Sequence, residues 1–161
     1  LPGGVPRYVP IGGRNWMKFK DLMQPKVFTV APTDMIDRVF FLIHYEKIRH
    51  IPVMDRDKIV GIVSDRDLYK ALGPRTSGRG MTDGDGDHSL LYVISRKVRH
   101  IMHRGVITIA PDAEATAAAA VMAKKKIGAL PVVAGSRLVG IITSTDLLQA
   151  YARTGVRAEA S

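Results

Sequence analysis

The sequence predicts an α+β fold built from two β-α-β-β-α repeats. The first observation is an internal repeat: residues 20–72 align with residues 99–151 without a gap, and Gly61 falls on Gly140. The second is that each copy alternates β-rich runs with stretches whose apolar residues recur at helical spacing. The third is size, because one copy of about 55 residues buries too little surface to be stable alone. Two copies that share a core fit a chain of 161 residues.

Each repeat is predicted to begin with a short helical lead-in and a first strand. The lead-ins are residues 20–23 and 99–102, and the β-rich runs that follow are residues 27–30 and 106–109. An Ala-Pro pair ends each run, because proline restricts the residue before it and punctuates regular structure.

The next element of each repeat is predicted to be an amphipathic helix. Thr33 and Asp112 are expected to cap the two helices, since their side chains can accept hydrogen bonds from the first free amides. Apolar residues then recur on one face. They are Ile36, Val39, Phe40 and Ile43 in one copy and Ala115, Ala118, Ala119 and Met122 in the other.

A β-hairpin and a final helix complete each repeat. The predicted strands are residues 51–54 and 59–63, then 130–133 and 138–142, with turns at 55–57 and 134–136. The final helices are predicted to begin at Ser64 and Thr143. Pairing of the two sheets would supply the core that one repeat lacks.

Composition divides the chain into five segments. They are a Gly- and Pro-rich leader at 1–16, interpreted as flexible or artificial, repeat 1 at 17–73, a linker with the start of a connecting helix at 74–95, repeat 2 at 96–152 and a tail at 153–161. In the linker, Asp83, Asp85 and Asp87 imitate a calcium-binding EF-hand loop, but His88 and Ile94 occupy its required glycine and glutamate positions. Residues 88–104 are predicted to form a helix whose basic face is either solvated or binds an anionic partner.

The composition indicates a globular protein with anionic partners. Hydrophobic residues make up 46% of the chain, charged residues make up 24%, and no apolar run approaches the ~18 residues that span a membrane. The sequence has no secretion-signal pattern and no cysteine, so a cytoplasmic location is expected and a thiolate metal site is excluded. A net charge of +9 favours nucleotides, nucleic acid or an acidic protein face.

Two Ser/Thr-x-x-Asp motifs are the candidate binding elements. Ser64 precedes Asp67 by three residues, and Thr143 precedes Asp146 by three. One interpretation is a capping box that only initiates a helix. The other is that the carboxylate accepts ribose hydroxyls at the mouth of a cleft, while the hydroxyl and the helix N-terminal amides face a phosphate.

Known catalytic motifs are absent from the sequence. It has no cysteine nucleophile, no Gly-x-Ser-x-Gly elbow, no Walker lysine loop and no Gly-x-Gly-x-x-Gly after a strand. His100 and His103 form a His-x-x-His pair on one predicted helical face, but no third ligand is in view, so no metal site is predicted. The sequence therefore predicts that the protein is not an enzyme and uses no catalytic cofactor.

Three motifs recur in the same order in both copies. In the first copy they are Asp21-Leu-Met23 with Val27-Phe-Thr-Val-Ala-Pro32, then Ile48-Arg-His-Ile-Pro-Val53, then Val60-Gly-Ile-Val-Ser-Asp-Arg-Asp67. With these motifs, roughly residues 17–152 resemble a tandem pair of cystathionine β-synthase (CBS) domains, often called a Bateman module. The resemblance implies that the repeats pack sheet to sheet about a pseudo-twofold axis. It also implies clefts for AMP, ADP, ATP, S-adenosylmethionine or NAD, a homodimer, and regulation of an unknown partner protein.

The resemblance implies a set of nucleotide-binding residues. In the first repeat they are Thr29, Pro32, Arg49, His50, Ile51, Pro52, Ser64, Arg66 and Asp67; in the second they are Thr108, Pro111, Gly128, Ala129, Leu130, Pro131, Thr143, Thr145 and Asp146. Arg66 departs from the threonine that is common in its position, and it either meets phosphate or points to water. Arg49 contacts phosphate or forms a surface ion pair, and His50 contacts phosphate or has a structural role.

The predicted function is that of a stand-alone regulatory module that senses adenosine nucleotides by a change in conformation or assembly. The alternative is a scaffolding module with vestigial clefts that binds a partner protein through its basic surface. Nucleic acid is disfavoured, since the sequence has no helix-turn-helix and no basic strand interleaved with aromatic residues.

The two clefts are predicted to be unequal. The first repeat carries Arg49 and His50 where the second has Gly128 and Ala129. Across a pseudo-twofold axis the cationic edge can lie beside the cleft of Asp146, so that cleft is predicted to bind a phosphorylated adenosine ligand more tightly.

Overall fold

The computed structural model describes residues 19–72 and 95–153, which form two copies of one unit. Each copy is a helix, an antiparallel hairpin and a second helix. In the first copy they are α1 (Ile36–His44), β1 (His50–Asp55), β2 (Lys58–Ser64) and α2 (Asp65–Leu72); in the second they are α3 (Ala115–Lys125), β3 (Ala129–Ala134), β4 (Arg137–Thr143) and α4 (Ser144–Arg153). The predicted α+β class with two repeats is confirmed.

The hairpins pair in the same register in both repeats. His50 lies opposite Ser64, and Ala129 lies opposite Thr143. Each ladder has one irregularity near its turn, between Val53 and Met54 or between Val132 and Val133. The ends of β2 and β4 are therefore equivalent positions, and α2 and α4 start directly after them.

The first strand of each repeat is much shorter than predicted. Within residues 27–30 only Val30 pairs, as a parallel bridge to Val53, and in the second repeat Ile109 pairs in the same way with Val132. Residues 27–29 precede this bridge and lie outside the ladder, and directly after it the Asp34 side chain accepts a hydrogen bond from the Ala31 N–H at 2.8 Å. The prediction of a four-residue strand was therefore wrong, although the segment does reach the sheet.

Thr33 and Asp112 do not cap helices, contrary to prediction. The N-cap residues are Met35 and Glu114, and neither makes a side-chain capping bond. Thr33 and Asp112 lie within the turns that follow the Ala-Pro pairs. At α1 a tertiary contact replaces the cap, since the Ile36 N–H donates to the Arg96 carbonyl at 2.9 Å.

The helix predicted at residues 88–104 is not observed where the structure describes it. Within residues 95–104 the helical part is one 3-10 turn, Val98–His100. The backbone before it is held by a tertiary contact, because Lys97 bridges to Met35 and the Val98 N–H donates to the Asp34 carbonyl. The first part of that helix, the calcium-like loop, the leader and most of the tail lie outside the described residues.

The lead-in of each repeat packs on the other repeat. Gln24 bridges to Ile141 in β4 through two backbone hydrogen bonds of 2.8 and 3.1 Å. His103 bridges to Ile62 in β2 through two of 2.8 and 3.0 Å. Side chains at positions 24 and 103 are therefore placed beside the hairpin of the opposite copy.

The two apolar cores show the same packing of each lead-in on the other repeat. Val98 is fully buried in the core of the first repeat with Ile51, and Leu22 is buried in the core of the second with Leu130. Each core is thus completed by a lead-in that precedes the other repeat. Among the described residues no helix is both long and apolar enough to cross a membrane.

Candidate functional site

Both predicted capping boxes are formed. One oxygen of Asp67, Oδ2, accepts hydrogen bonds from the Ser64 backbone N–H at 2.8 Å and its hydroxyl at 2.6 Å. The Oδ2 of Asp146 accepts the same pair from Thr143 at 2.8 and 2.7 Å. In return each aspartate N–H donates to the hydroxyl oxygen, at 3.4 Å in the first box and 3.2 Å in the second. Ser64 and Thr143 are the last residues of β2 and β4, so the helices begin one residue later than predicted.

The second oxygen of each aspartate has a partner that the sequence did not predict. The Oδ1 of Asp67 lies 2.7 Å from Nε2 of His103. The Oδ1 of Asp146 accepts a hydrogen bond from the side-chain amide of Gln24 at 3.2 Å. Positions 24 and 103 are equivalent in the repeat alignment, but that alignment alone does not indicate that their side chains meet the carboxylates.

A single cavity of about 1040 Å³ connects the two boxes. Its walls come from equivalent segments of both repeats, namely the lead-ins, the residues between the first helix and the hairpin, and the ends of β2 and β4 with the helix starts that follow. The two predicted clefts are therefore joined. Because both carboxylates line one space, ligands at the two boxes would be neighbours.

Ten of the predicted site residues line this cavity, and eight do not. The lining residues are Arg49, His50, Ser64, Arg66, Asp67, Gly128, Ala129, Thr143, Thr145 and Asp146. Those outside the lining are Thr29, Pro32, Ile51, Pro52, Thr108, Pro111, Leu130 and Pro131. Four of the second group, Ile51, Pro52, Leu130 and Pro131, are fully buried in the hairpin strands, and Ile51 and Leu130 belong to the two cores.

Sequence analysis missed an apolar wall and several cations of the cavity. The apolar residues are Val27, Phe28, Ile48, Val106, Ile107 and Ile127, and the missed cations are Lys26, Lys47, Arg104 and Lys126. The recurrence of Lys-Ile at 47–48 and 126–127 could have indicated four of these residues, because both pairs occupy the same place shortly before a hairpin.

The cavity lining carries a net positive charge. Six lysine and arginine residues line it, against three aspartates, with both histidines counted as neutral. Arg49 is partly neutralised, since its Nε lies 3.1 Å from Oδ2 of Asp65 at the start of α2. The excess of cations favours an anionic ligand.

His50 lies at the contact between the repeats. A Cβ atom added to Gly128 would come within 2.8 Å of its Nε2, so the absence of a side chain at 128 makes room for the imidazole. Burial lowers the pKa of His50 below 6.5, and Arg49 and Arg66 lower it further, while Asp65 and Asp67 oppose the shift. The imidazole is therefore held in its neutral form over a wider pH range than in an exposed histidine.

His100 and His103 do not share a helical face. His100 ends the 3-10 turn, whereas His103 lies in the bridge to β2. Across residues 19–72 and 95–153, no group of three His, Cys, Asp or Glu side chains is arranged to hold a metal ion.

Both repeats match the profile of a known protein family, and several known proteins are similar to most of the chain. The profile of the CBS domain family matches residues 19–74 and again residues 98–153. The uncharacterized protein MJ1426 of Methanocaldococcus jannaschii is 31% identical, over 83% of this chain and 90% of its own length. The chain spans only 27% to 39% of three other relatives, which include a homoserine O-acetyltransferase of Methanococcoides burtonii that is 34% identical over 91% of this chain.

Two solved structures contain adenosine compounds. The CBS domain pair of protein MJ0100, in complex with 5′-methylthioadenosine and S-adenosyl-L-methionine, is 26% identical with a TM-score of 0.70, over 88% of this chain and all of that one. The protein CBSX2 in complex with AMP is 26% identical with a TM-score of 0.66, over 85% of this chain and 97% of its own.

Proposed function

The chain belongs to the CBS domain family, and on that premise we propose that it is a regulatory module that senses an adenosine-containing nucleotide between its two repeats. The main supporting observation is that Asp67 and Asp146 both line one cavity and that each uses only its Oδ2 in the helix cap. A ribose diol donates two hydroxyls, and an ionised carboxylate is the strongest common acceptor for them.

The remaining groups of the cavity suit the other parts of a nucleotide. The apolar residues Val27, Phe28 and Ile48, with their counterparts in the second repeat, offer surfaces against which an adenine ring can pack. The start of α4 and the cations of the lining favour a phosphate. The volume of about 1040 Å³ is at the upper end of the ~300–1000 Å³ that is usual for small-molecule sites. It therefore accommodates a dinucleotide or two mononucleotides.

The ligands of the related pairs favour adenosine over other nucleosides. The similar structures contain AMP, S-adenosyl-L-methionine and 5′-methylthioadenosine. These compounds share the adenosine group and differ in charge at the 5′ position. AMP is the form that best matches a cationic lining, so it is the first ligand to test.

Binding would be signalled through the arrangement of the repeats. The cavity walls come from both copies, so a bound nucleotide contacts both and favours the arrangement in which those contacts are best. A cytoplasmic location and the regulation of a partner protein stay predictions.

We further propose that the chain forms a homodimer through its helices. Large apolar side chains are exposed on α1, α2 and α4: Phe41, Tyr45, Tyr69, Leu148 and Tyr151. Their exposed fractions lie between 51% and 70%, and Phe41 stacks on Tyr45 while Tyr69 contacts His44, so part of this apolar surface is contiguous. A second copy that covers these faces would remove that apolar surface from water.

The scaffolding alternative has one specific observation in its favour. Asp67, Asp146 and Asp65 already have side-chain partners without any ligand. If the cavity were vestigial, these contacts would persist and no nucleotide would bind.

Titration calorimetry on nucleotide-free protein tests the proposal. AMP, ATP, S-adenosylmethionine and NAD should be compared, and at least one should bind. The double variant Asp67→Asn with Asp146→Asn should lose that binding, because it removes both charges yet keeps an oxygen for each helix cap. The matched control is Asp57→Asn, at an exposed position of the first hairpin turn. Absence of binding by all four ligands at millimolar concentration would refute the nucleotide proposal and leave the scaffolding alternative.

A further inference from the structure

The cavity-facing oxygens of the two aspartates are held by chemically different side chains. At Asp67, Oδ1 lies 2.7 Å from the His103 imidazole, a contact that becomes an ion pair when the ring is protonated. At Asp146, Oδ1 accepts from the neutral amide of Gln24 at 3.2 Å. The contact with His103 is the shorter of the two, so Asp67 is held more firmly.

The backbone keeps both partners in place. His103 is bonded to Ile62 by two backbone hydrogen bonds, and Gln24 is bonded to Ile141 by two. Ile62 and Ile141 lie two residues before the capping hydroxyls, so each lead-in runs beside its box. Methionine side chains that precede positions 24 and 103 fill the space above Gly140 and Gly61 and hold the lead-ins against the strands.

His103 is much more exposed than the carboxylate that it contacts. The side chain of Asp67 is only 12% exposed, whereas His103 is 71% exposed. A ligand that reaches Oδ1 of Asp67 must therefore share or displace an imidazole that can itself move into solvent. The same ligand at Asp146 competes with one longer hydrogen bond from an amide.

We infer that His103 and Gln24 are the specificity-determining residues of the two halves of the cavity. His103 competes with a ribose diol for Asp67, whereas Gln24 is readily displaced from Asp146 by a ribose diol. The inference rests on the proposed nucleotide binding and states the order in which the two halves of the cavity fill. The half that contains Asp146 fills first, and the half that contains Asp67 takes a second adenosine ligand more weakly. Each of these two residues lies in the lead-in of one repeat and contacts the box of the other repeat.

The test exchanges the two side chains. His103→Gln and Gln24→His each place at one box the residue that the other box has, at positions that are exposed on the surface. AMP binding is measured by calorimetry in both variants and in the unchanged protein. His103→Gln should tighten the weaker site about five- to tenfold, and Gln24→His should weaken the tighter site by a similar factor. Thermal unfolding of each variant checks that the fold is retained.

The direction in which His103→Gln changes the affinity for AMP distinguishes two roles of the imidazole. If the imidazole contacted the phosphate of AMP, its removal would weaken AMP binding. A gain in affinity for AMP therefore identifies competition for the carboxylate. 2′,3′-Dideoxy-AMP lacks the diol, so its affinity should not increase in His103→Gln.

Two results would overturn the inference while leaving nucleotide sensing intact. One is AMP binding whose constants change less than twofold in both variants. The other is a loss of affinity in His103→Gln, which would make the imidazole a ligand contact. Failure of the unchanged protein to bind AMP or any of the other three ligands is a separate outcome, and it would remove the proposed function itself together with the inference.

Discussion

Replacing Asp146 with alanine is expected to weaken AMP binding by about ten- to a hundred-fold while lowering the free energy of unfolding by only about 1 kcal/mol. The two effects arise at different oxygens. Oδ2 accepts two hydrogen bonds from Thr143, at 2.8 and 2.7 Å, and holds the start of α4. Oδ1 is the oxygen that a ribose diol would reach.

The cost to stability is limited because alanine removes only half of the capping box. The N–H at position 146 still donates to the Thr143 hydroxyl, a contact of 3.2 Å. What is lost is the acceptor for the Thr143 backbone N–H and hydroxyl, and loss of such a cap typically costs about 1 kcal/mol. On the ligand side, loss of hydrogen bonds to a charged acceptor costs about 1.5–3 kcal/mol, and each ~1.4 kcal/mol is tenfold in affinity.

The assay is calorimetric titration with AMP, accompanied by urea unfolding. Asp67→Ala is the matched control, because it removes the same capping bonds and should reduce AMP affinity less. Asp146→Asn separates the two effects further, since its amide oxygen can still serve the cap while the charge is gone. Equal losses in both alanine variants would refute the asymmetry. Losses of stability without loss of AMP binding would mean that the carboxylates act only as helix caps.

Three further predictions concern pH, assembly and packing. The pKa of His50 is lowered from 6.5, mainly by burial. The unfolded chain therefore binds a proton at this residue more readily than the folded chain does. As a result, the free energy of unfolding should decrease as pH falls from 6.5 toward the lowered pKa. His50→Gln should flatten that part of the pH profile, and an unchanged profile would contradict the burial effect. Light scattering at tens of micromolar should give about twice the 17.6 kDa chain mass, and a monomer would contradict the proposed dimer. Gly61→Ala should lower the free energy of unfolding by about 1–3 kcal/mol, because its Cβ would come 2.7 Å from Met102 Sδ and 3.0 Å from the His103 carbonyl. Gly135→Ala has open space at a φ of 64° and should cost only about 1 kcal/mol, so an equal or smaller loss at Gly61 would refute the packing effect.

Local patterns predicted the hairpins and the helices that follow them. The observed strands extend the predicted ones by only one residue at each end, because short apolar runs and the turn residues that bound them are encoded within a few positions. Arg56 and Gly135 adopt positive φ in the two turns. The capping boxes were also predictable, since a spacing of three residues suffices to form them.

Elements whose hydrogen bonds depend on distant partners were predicted poorly. Thr33 was a reasonable cap by residue type, but the amide of Ile36 is satisfied by Arg96, 60 positions away. The residues before Val98 have helical periodicity, yet Lys97 bridges to Met35 instead. In both cases a tertiary hydrogen bond outweighed a local preference, which is worth only about 1 kcal/mol.

The sequence alone determined the repeat, the hairpins and the two aspartates with their capping hydroxyls. Only the tertiary structure decided what each aspartate faces. His103 and Asp67 are separated by 36 positions, and Gln24 and Asp146 by 122, so no periodicity links either pair. They meet because each lead-in crosses to the opposite repeat, where burial of Leu22 and Val98 completes a core that neither repeat closes alone.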